Sequence, residues 1–263
     1  MDTMLHHESH GHGYPVVLGG SYLWGAEMWQ PQIDALRSSH RVIVPLLPGH
    51  DNDSPLPADC TTPAALAVRV GRLLDALRIE QCAVAGLSVG GMWAAELALQ
   101  QPSRVRSLLL LDTFLGAEPA PARDQYLAML SAIEQAGRIP AALIAQIVPL
   151  FFRAGIDPED PLRRAFAERL AHWPTARIPA LVALGRLIFN RPERLQALAG
   201  LDNQRTLVAC GEEDGPRPPA EAQRMAQVIG CRLQLIPCAG HISSRDNPQA
   251  VTTLLQAWLS RMH

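Results

Sequence analysis

The chain has 263 residues, 48% of them hydrophobic and 18% charged, which supplies apolar material for one large buried core. Its formal charge of −2 excludes a general attraction to nucleic-acid phosphates or anionic lipid. There is no lysine, so phosphate-loop NTPases, Schiff-base and pyridoxal enzymes and Ser–Lys hydrolases are excluded for want of an amine.

From the amino end, Met1–Glu8 shows no basic segment leading into an apolar run, and no secretory signal is expected. His6, His7, His10 and His12 read as a solvated β-hairpin rather than a metal site. Strands are predicted at Pro15–Gly19, Arg41–Pro45, Gln81–Leu87, Ser107–Asp112, Thr206–Gly211 and Arg232–Cys238. Their runs are continuously apolar, as a parallel sheet covered on both faces requires. Helices are predicted between and after them, at Ala26–Ser38, Pro63–Arg78, Val89–Gln101, Pro218–Ile229 and Pro248–Met262. Thr62 before Pro63 and Asn247 before Pro248 are helix-start signals. Strand–helix alternation of this kind predicts an α/β, doubly wound, mostly parallel sheet with its ligand site beyond the strands' carboxyl ends.

Residues 114–200 break the alternation. This block has no convincing strand and reads as helices near Arg123–Ala136, Ala141–Phe152, Leu162–His172 and Ile178–Asn190. It is expected to form a helical cap inserted into a core made of residues 1–113 and 201–263. Ile139–Phe152 is too short, and too interrupted by Pro140, Gln146 and Pro149, to span a bilayer. The five cysteines form no C-x-x-C pair, and Cys82 and Cys210 fall in apolar runs. A reducing, cytoplasmic setting is the expectation.

Gly86-Leu87-Ser88-Val89-Gly90 spells G-x-S-x-G where a predicted strand runs directly into a predicted helix. A serine on such a sharp turn is lifted above the sheet, and the flanking glycines keep neighbouring backbone from clashing. Its hydroxyl needs a base. Of nine histidines, His241 alone lies between the last strand and the last helix, at the same sheet edge. The expected order Ser…acid…His makes Asp214 the third member, with Asp112, which also ends a strand, as its rival. The oxyanion would rest on the amide of Val89 and one amide of the loop after the first strand, Ser21 ahead of Tyr22. Tyr22, Trp24, Trp93 and Phe114 are the candidates for an apolar pocket.

Taken together, these residues resemble the α/β-hydrolase superfamily. The likeness is to its small capped serine carboxylesterases and lactonases, such as the pimeloyl-acyl-carrier-protein methyl esterases and the enol-lactonases. It also rests on Trp29 opening a helix, Pro48-Gly49-His50 and Gly240-His241. The resemblance implies a Ser88–Asp214–His241 triad, a Ser21 and Val89 oxyanion hole, and a lid over residues 114–200. Gly19-Gly20 stands where the family usually has His-Gly, so the side chain that braces the oxyanion loop is missing. The acidic Asp51-Asn52-Asp53 turn reads as solvated.

The expected activity is hydrolysis of an ester or lactone through an acyl-enzyme, extending to bulky hydrophobic esters or macrolide-type macrocycles. The alternatives are a carrier-protein methyl esterase, a related reaction on the same triad, and a non-catalytic small-ligand receptor. No cofactor or metal is expected, and the only partner expected is the small-molecule substrate. A carrier-protein partner would need the cap's ten arginines, set against eight acidic residues, to share one face.

Overall fold

The computed structural model describes residues 4–262; residues 1–3 and 263, at the ends of the expected core segments, lie outside it. Seven strands form one sheet: β1 (His7–His10), β2 (Tyr14–Gly19), β3 (His40–Pro45), β4 (Cys82–Leu87), β5 (Val105–Leu111), β6 (Thr206–Gly211) and β7 (Arg232–Ile236). The strand order is β1-β3-β2-β4-β5-β6-β7, and every neighbouring pair is parallel except β1 with β3. β4 and β6 are buried along their whole lengths, as continuous apolar runs in the middle of a two-sided sheet should be.

The N-terminal histidines are not a hairpin. β1 skips β2 and pairs antiparallel with β3, His7 opposite Pro45 and His10 opposite Val42, forming one edge of the sheet. Gly11 and Gly13, both at positive φ, carry the turn toward β2. A Cβ on either would strike the backbone around Arg37–His40.

Helices α1 (Gln30–Leu36), α2 (Pro63–Ala76) and α3 (Val89–Gln100) follow β2, β3 and β4. Ala26–Trp29, expected as the first turn of α1, is instead a 3₁₀ turn. Thr62 caps α2 by accepting the Ala65 amide at 3.2 Å. Between β5 and β6 lie α4 (Ala120–Ala136), α5 (Ala141–Ile147), α6 (Pro161–Ala171) and α7 (Ile178–Phe189), with 3₁₀ turns at Val148–Phe151, Thr175–Arg177 and Leu195–Gly200. After β6 come α8 (Pro219–Ile229), the single turn α9 (Ser243–Asp246) and α10 (Pro248–Leu259), which Asn247 caps at the Ala250 amide. No helix among the described residues is long and apolar enough to cross a membrane.

The Asp51–Asp53 turn is not simply solvated. Asp51 accepts the Ala26 amide at 2.9 Å and pairs with Arg169 of α6 at 3.0 Å, while Asp53 pairs with Arg177 ahead of α7 at 2.6 Å. Two carboxylates of the sheet domain thereby hold two arginines of the helical insertion.

Candidate active site

Ser88 sits between β4 and α3 with φ 58° and ψ −123°. That conformation costs of order 1–3 kcal/mol for a residue with a side chain, so surrounding contacts must impose it. They do so on both sides of the peptide. The Ser88 amide donates to the Leu111 carbonyl at 3.0 Å, and the Ser88 carbonyl accepts the Thr113 hydroxyl at 2.6 Å. The glycines have a steric role as well. A Cβ on Gly86 would collide with the Gly90 carbonyl, and one on Gly90 with the Gly19 carbonyl. Gly90→Ala is therefore expected to force β2 and α3 apart by overpacking, lowering Tm by roughly 3–10 °C. An unchanged melting curve would contradict that packing.

His241 follows β7 and points back at the serine, its Nε2 3.0 Å from Ser88 Oγ. Its Nδ1 lies 3.1 and 3.0 Å from the two carboxylate oxygens of Asp214, a geometry in which Nδ1–H donates and Nε2 is left as the acceptor for the serine proton. Asp214 and His241 are only 2% and 6% exposed, so the pair works in a medium with little solvent screening. Burial by itself depresses the imidazole pKa, but the Asp214 charge and hydrogen bond, helped by Asp112, more than offset this and raise it above the ordinary value.

Asp112, the rival acid, is fully buried beside the pair but bonded elsewhere. It accepts the Gly211 amide at 2.7 Å and the Ser243 hydroxyl at 2.5 Å. Burial, and then repulsion from Asp214, hold its carboxyl well above the usual carboxylate range. Asp112, Cys210 and Asp214 converge closely enough to be weighed as a metal site. The carboxylates already serve amides, a hydroxyl and the imidazole, and the Cys210 thiol, pushed far up by burial, donates to the Gly211 and Arg217 carbonyls.

The oxyanion loop differs from the expectation at Ser21. Its amide donates to Met28 Sδ at 3.1 Å, which commits that N–H to the core behind the loop. The amides of Tyr22 and Val89 donate to no acceptor among the described residues, so the geometry offers this pair for a developing oxyanion. Sequence reasoning also missed the brace for this loop. His50 accepts the Leu23 amide at Nε2, 2.9 Å away, with Nδ1 3.1 Å from the Pro48 carbonyl, and burial pushes its pKa down to about 4. A neutral imidazole from Pro48-Gly49-His50 thus supports the loop from a different strand end, which compensates for the absent His-Gly. The Pro48-Gly49-His50 motif was the available signal, but no spacing rule linked it to Leu23.

A cavity of about 100 Å³ opens over Ser88 and His241, lined by Tyr22, Met92 and residues of the helical insertion such as Tyr126, Leu130 and Phe189. Of the four aromatic candidates only Tyr22 lines it, its hydroxyl donating to the Leu181 carbonyl of α7 at 2.9 Å. The other three are corrected to packing roles. Trp24 stacks on Phe166 with ring centroids 4.4 Å apart, and Trp93 lies against Gly19 at the foot of the elbow. Phe114 sits beneath the Arg224 guanidinium, 5.4 Å from its ring centroid. The insertion also reaches the histidine loop: the Phe151 ring lies 5.6 Å from His241, and Asp246 ties the amides of Gly240 and Arg153 together at 2.8 Å each.

Residues 12–248 match the sequence profile described as alpha/beta hydrolase fold. The chain belongs to this family. The RutD protein of Variovorax paradoxus, provisionally named a carbamate hydrolase, is 31% identical over 98% of this chain and 97% of its own. A 3-oxoadipate enol-lactonase of Acinetobacter baylyi is 29% identical over 84% of this chain and 79% of its own. Among solved structures, a thermophilic esterase from Thermogutta terrifontis superimposes with a TM-score of 0.85 at 25% identity, covering 98% of this chain and 94% of that one. Enol-lactonases, one of the groups the sequence resembles, are thus among the relatives of this α/β-hydrolase.

Proposed function

We propose that this α/β-hydrolase cleaves a small carboxylic ester or lactone through a covalent acyl-serine intermediate. The observation that carries the reading is the hydrogen-bonded series Ser88–His241–Asp214 facing a mainly apolar cavity. His241 takes the proton of Ser88 as its Oγ attacks the carbonyl carbon. The tetrahedral oxyanion rests on the amides of Tyr22 and Val89. The C–O bond to the alcohol then breaks, the alkoxide leaving with the proton from His241. Water attacks the acyl-serine in turn, giving its proton to His241, which returns it to Ser88 as the acid departs.

Substrate size follows from the cavity. Pockets for drug-sized ligands run to roughly 300–1,000 Å³, and about 100 Å³ suits a short acyl group far better than a macrocyclic lactone. Carbamate cleavage by the same acyl route is a second reading, supported by the similarity to RutD proteins. A fluorophosphonate probe tests the nucleophile directly. The expected result is a single adduct on the peptide containing Ser88; recovery of unlabelled protein would overturn the covalent mechanism.

The pH profile provides another test. His241 must be neutral to accept the serine proton, and its pKa is raised above 6.5. Activity is therefore lost as pH falls through that raised value, and the acid limb of kcat/KM is expected to have its midpoint above pH 6.5. A midpoint well below 6 would contradict the Asp214–His241 coupling.

A further inference from the structure

His241 belongs to no strand or helix; it stands in the turn between β7 and α9, so neither a sheet ladder nor a helix holds its backbone. From the core, the Ala239 carbonyl accepts the Glu213 amide at 2.9 Å. The amides on either side of the histidine are tied instead to the helical insertion. The Ile242 amide donates to the Phe151 carbonyl at 2.9 Å. The Gly240 amide donates to Asp246 Oδ2 at 2.8 Å, and the same oxygen accepts the Arg153 amide at 2.8 Å.

Asp246 is a buried carboxylate that the acyl-transfer steps do not use. Its side chain is 0% exposed, and Oδ1 makes no hydrogen bond, with Arg153 Nη1 3.6 Å away. Burial raises its pKa, and the two amides and the Arg153 charge only partly offset that cost. A carboxylate kept in such a place must be held by strong bonds, and its bonds to amides are roughly twice as strong as neutral ones. The joint is also tightly packed. A Cβ on Gly240 would collide with the Phe152 carbonyl carbon, while the Phe151 ring packs 4.9 Å from Phe166 and 5.6 Å from His241 between centroids.

We infer that Asp246 is a positioning residue for His241: by clamping residues 151–153 to the amide that precedes the histidine, it makes the aim of the imidazole at Ser88 depend on the insertion being seated. The inference rests on the reading of His241 as the base. The clamped segment carries Phe151, which lines the cavity, so a displacement that opens this wall also frees the loop from which the imidazole projects. Base and cavity are thereby assembled together, and a catalytic group misplaced by about 1 Å costs roughly 10²-fold in rate.

The test is Asp246→Ala, read by kcat and KM for p-nitrophenyl acetate and by the low-field proton NMR signal of the His241 Nδ1–H bonded to Asp214, which needs no substrate. Asp214→Asn, in which that bond is lost, identifies the signal. The expected result is a kcat about 10²-fold lower with KM little changed, and loss or displacement of the imidazole signal. Asp246→Asn keeps an oxygen that both amides can share, and should retain kcat within about tenfold of wild type. Gly240→Ala disturbs the joint from the other side with the carboxylate intact, and should show the same two changes; it decides the matter if Asp246→Ala does not fold. A folded Asp246→Ala protein with wild-type kcat would overturn the inference. So would a lowered kcat with an unchanged imidazole signal, which leaves Asp246 a purely structural part. If the wild-type protein cleaves no ester, the NMR comparison still stands: a signal lost in Asp246→Ala upholds the clamp without the hydrolase, and an unchanged one sinks it.

Discussion

Replacing Ser88 by alanine is expected to leave a folded protein with essentially no hydrolytic activity. The loss should be on the order of 10⁶-fold in kcat, about 8 kcal/mol of transition-state stabilisation, because among the described residues no other hydroxyl is hydrogen-bonded to His241. The one hydrogen bond of Ser88 Oγ among the described residues is to His241 Nε2, so its removal costs little structurally. It also relieves none of the elbow's strain, since alanine must adopt the same φ of 58°. The measurement is the p-nitrophenyl acetate rate alongside a thermal melt of the same sample. A residual rate within tenfold of wild type, on a protein with an unaltered melt, would remove Ser88 from the mechanism.

Asp214→Asn is expected to cost about 10⁴-fold in kcat, the scale seen when a triad aspartate of the chymotrypsin type becomes an amide. The reason is tautomeric. An asparagine can present its NH₂ to Nδ1, which leaves the Nε2 proton facing the serine and makes the imidazole useless as a base. Asp112→Asn is the matched comparison. Its carbonyl oxygen can still accept the Gly211 amide, and the Ser243 hydroxyl can turn to accept from the new NH₂. Its loss should stay within about tenfold, the value of one rearranged neutral hydrogen bond. Should the larger loss follow Asp112→Asn instead, the roles of the two aspartates would have to be exchanged.

The two aspartates also mark where sequence reading stops. Asp112 directly follows β5 and Asp214 lies three residues beyond β6, its neighbour in the sheet, and both finish almost completely buried at the carboxyl edge. Along the chain they differ only in spacing. Which of them meets His241 depends on the path of the loop after β6, where Asp214 also accepts the Arg217 amide at 2.9 Å.

Local chemistry was enough for much of the rest. Continuous apolar runs dictated buried parallel strands, Thr62 and Asn247 marked helix starts, and G-x-S-x-G between strand and helix marked the elbow. Each of these signals is complete within a few residues, because β-strand burial, capping and tight turns are short-range effects. Side-chain direction is set at longer range. Trp24, Trp93 and Phe114 were legible as large apolar residues near the motifs, yet whether each faced the cavity depended on Phe166, Gly19 and Arg224.

The sequence by itself therefore determined the layers of the fold, the position of the strained serine and the histidine at the far strand end. Only the tertiary structure decided that Met28 takes the Ser21 amide, that His50 braces Leu23 from 27 residues away, and that Glu118 and Arg217 meet across 99. The physical reason is that a buried polar group must find a partner wherever packing brings one, and the order of residues along the chain does not encode that distance.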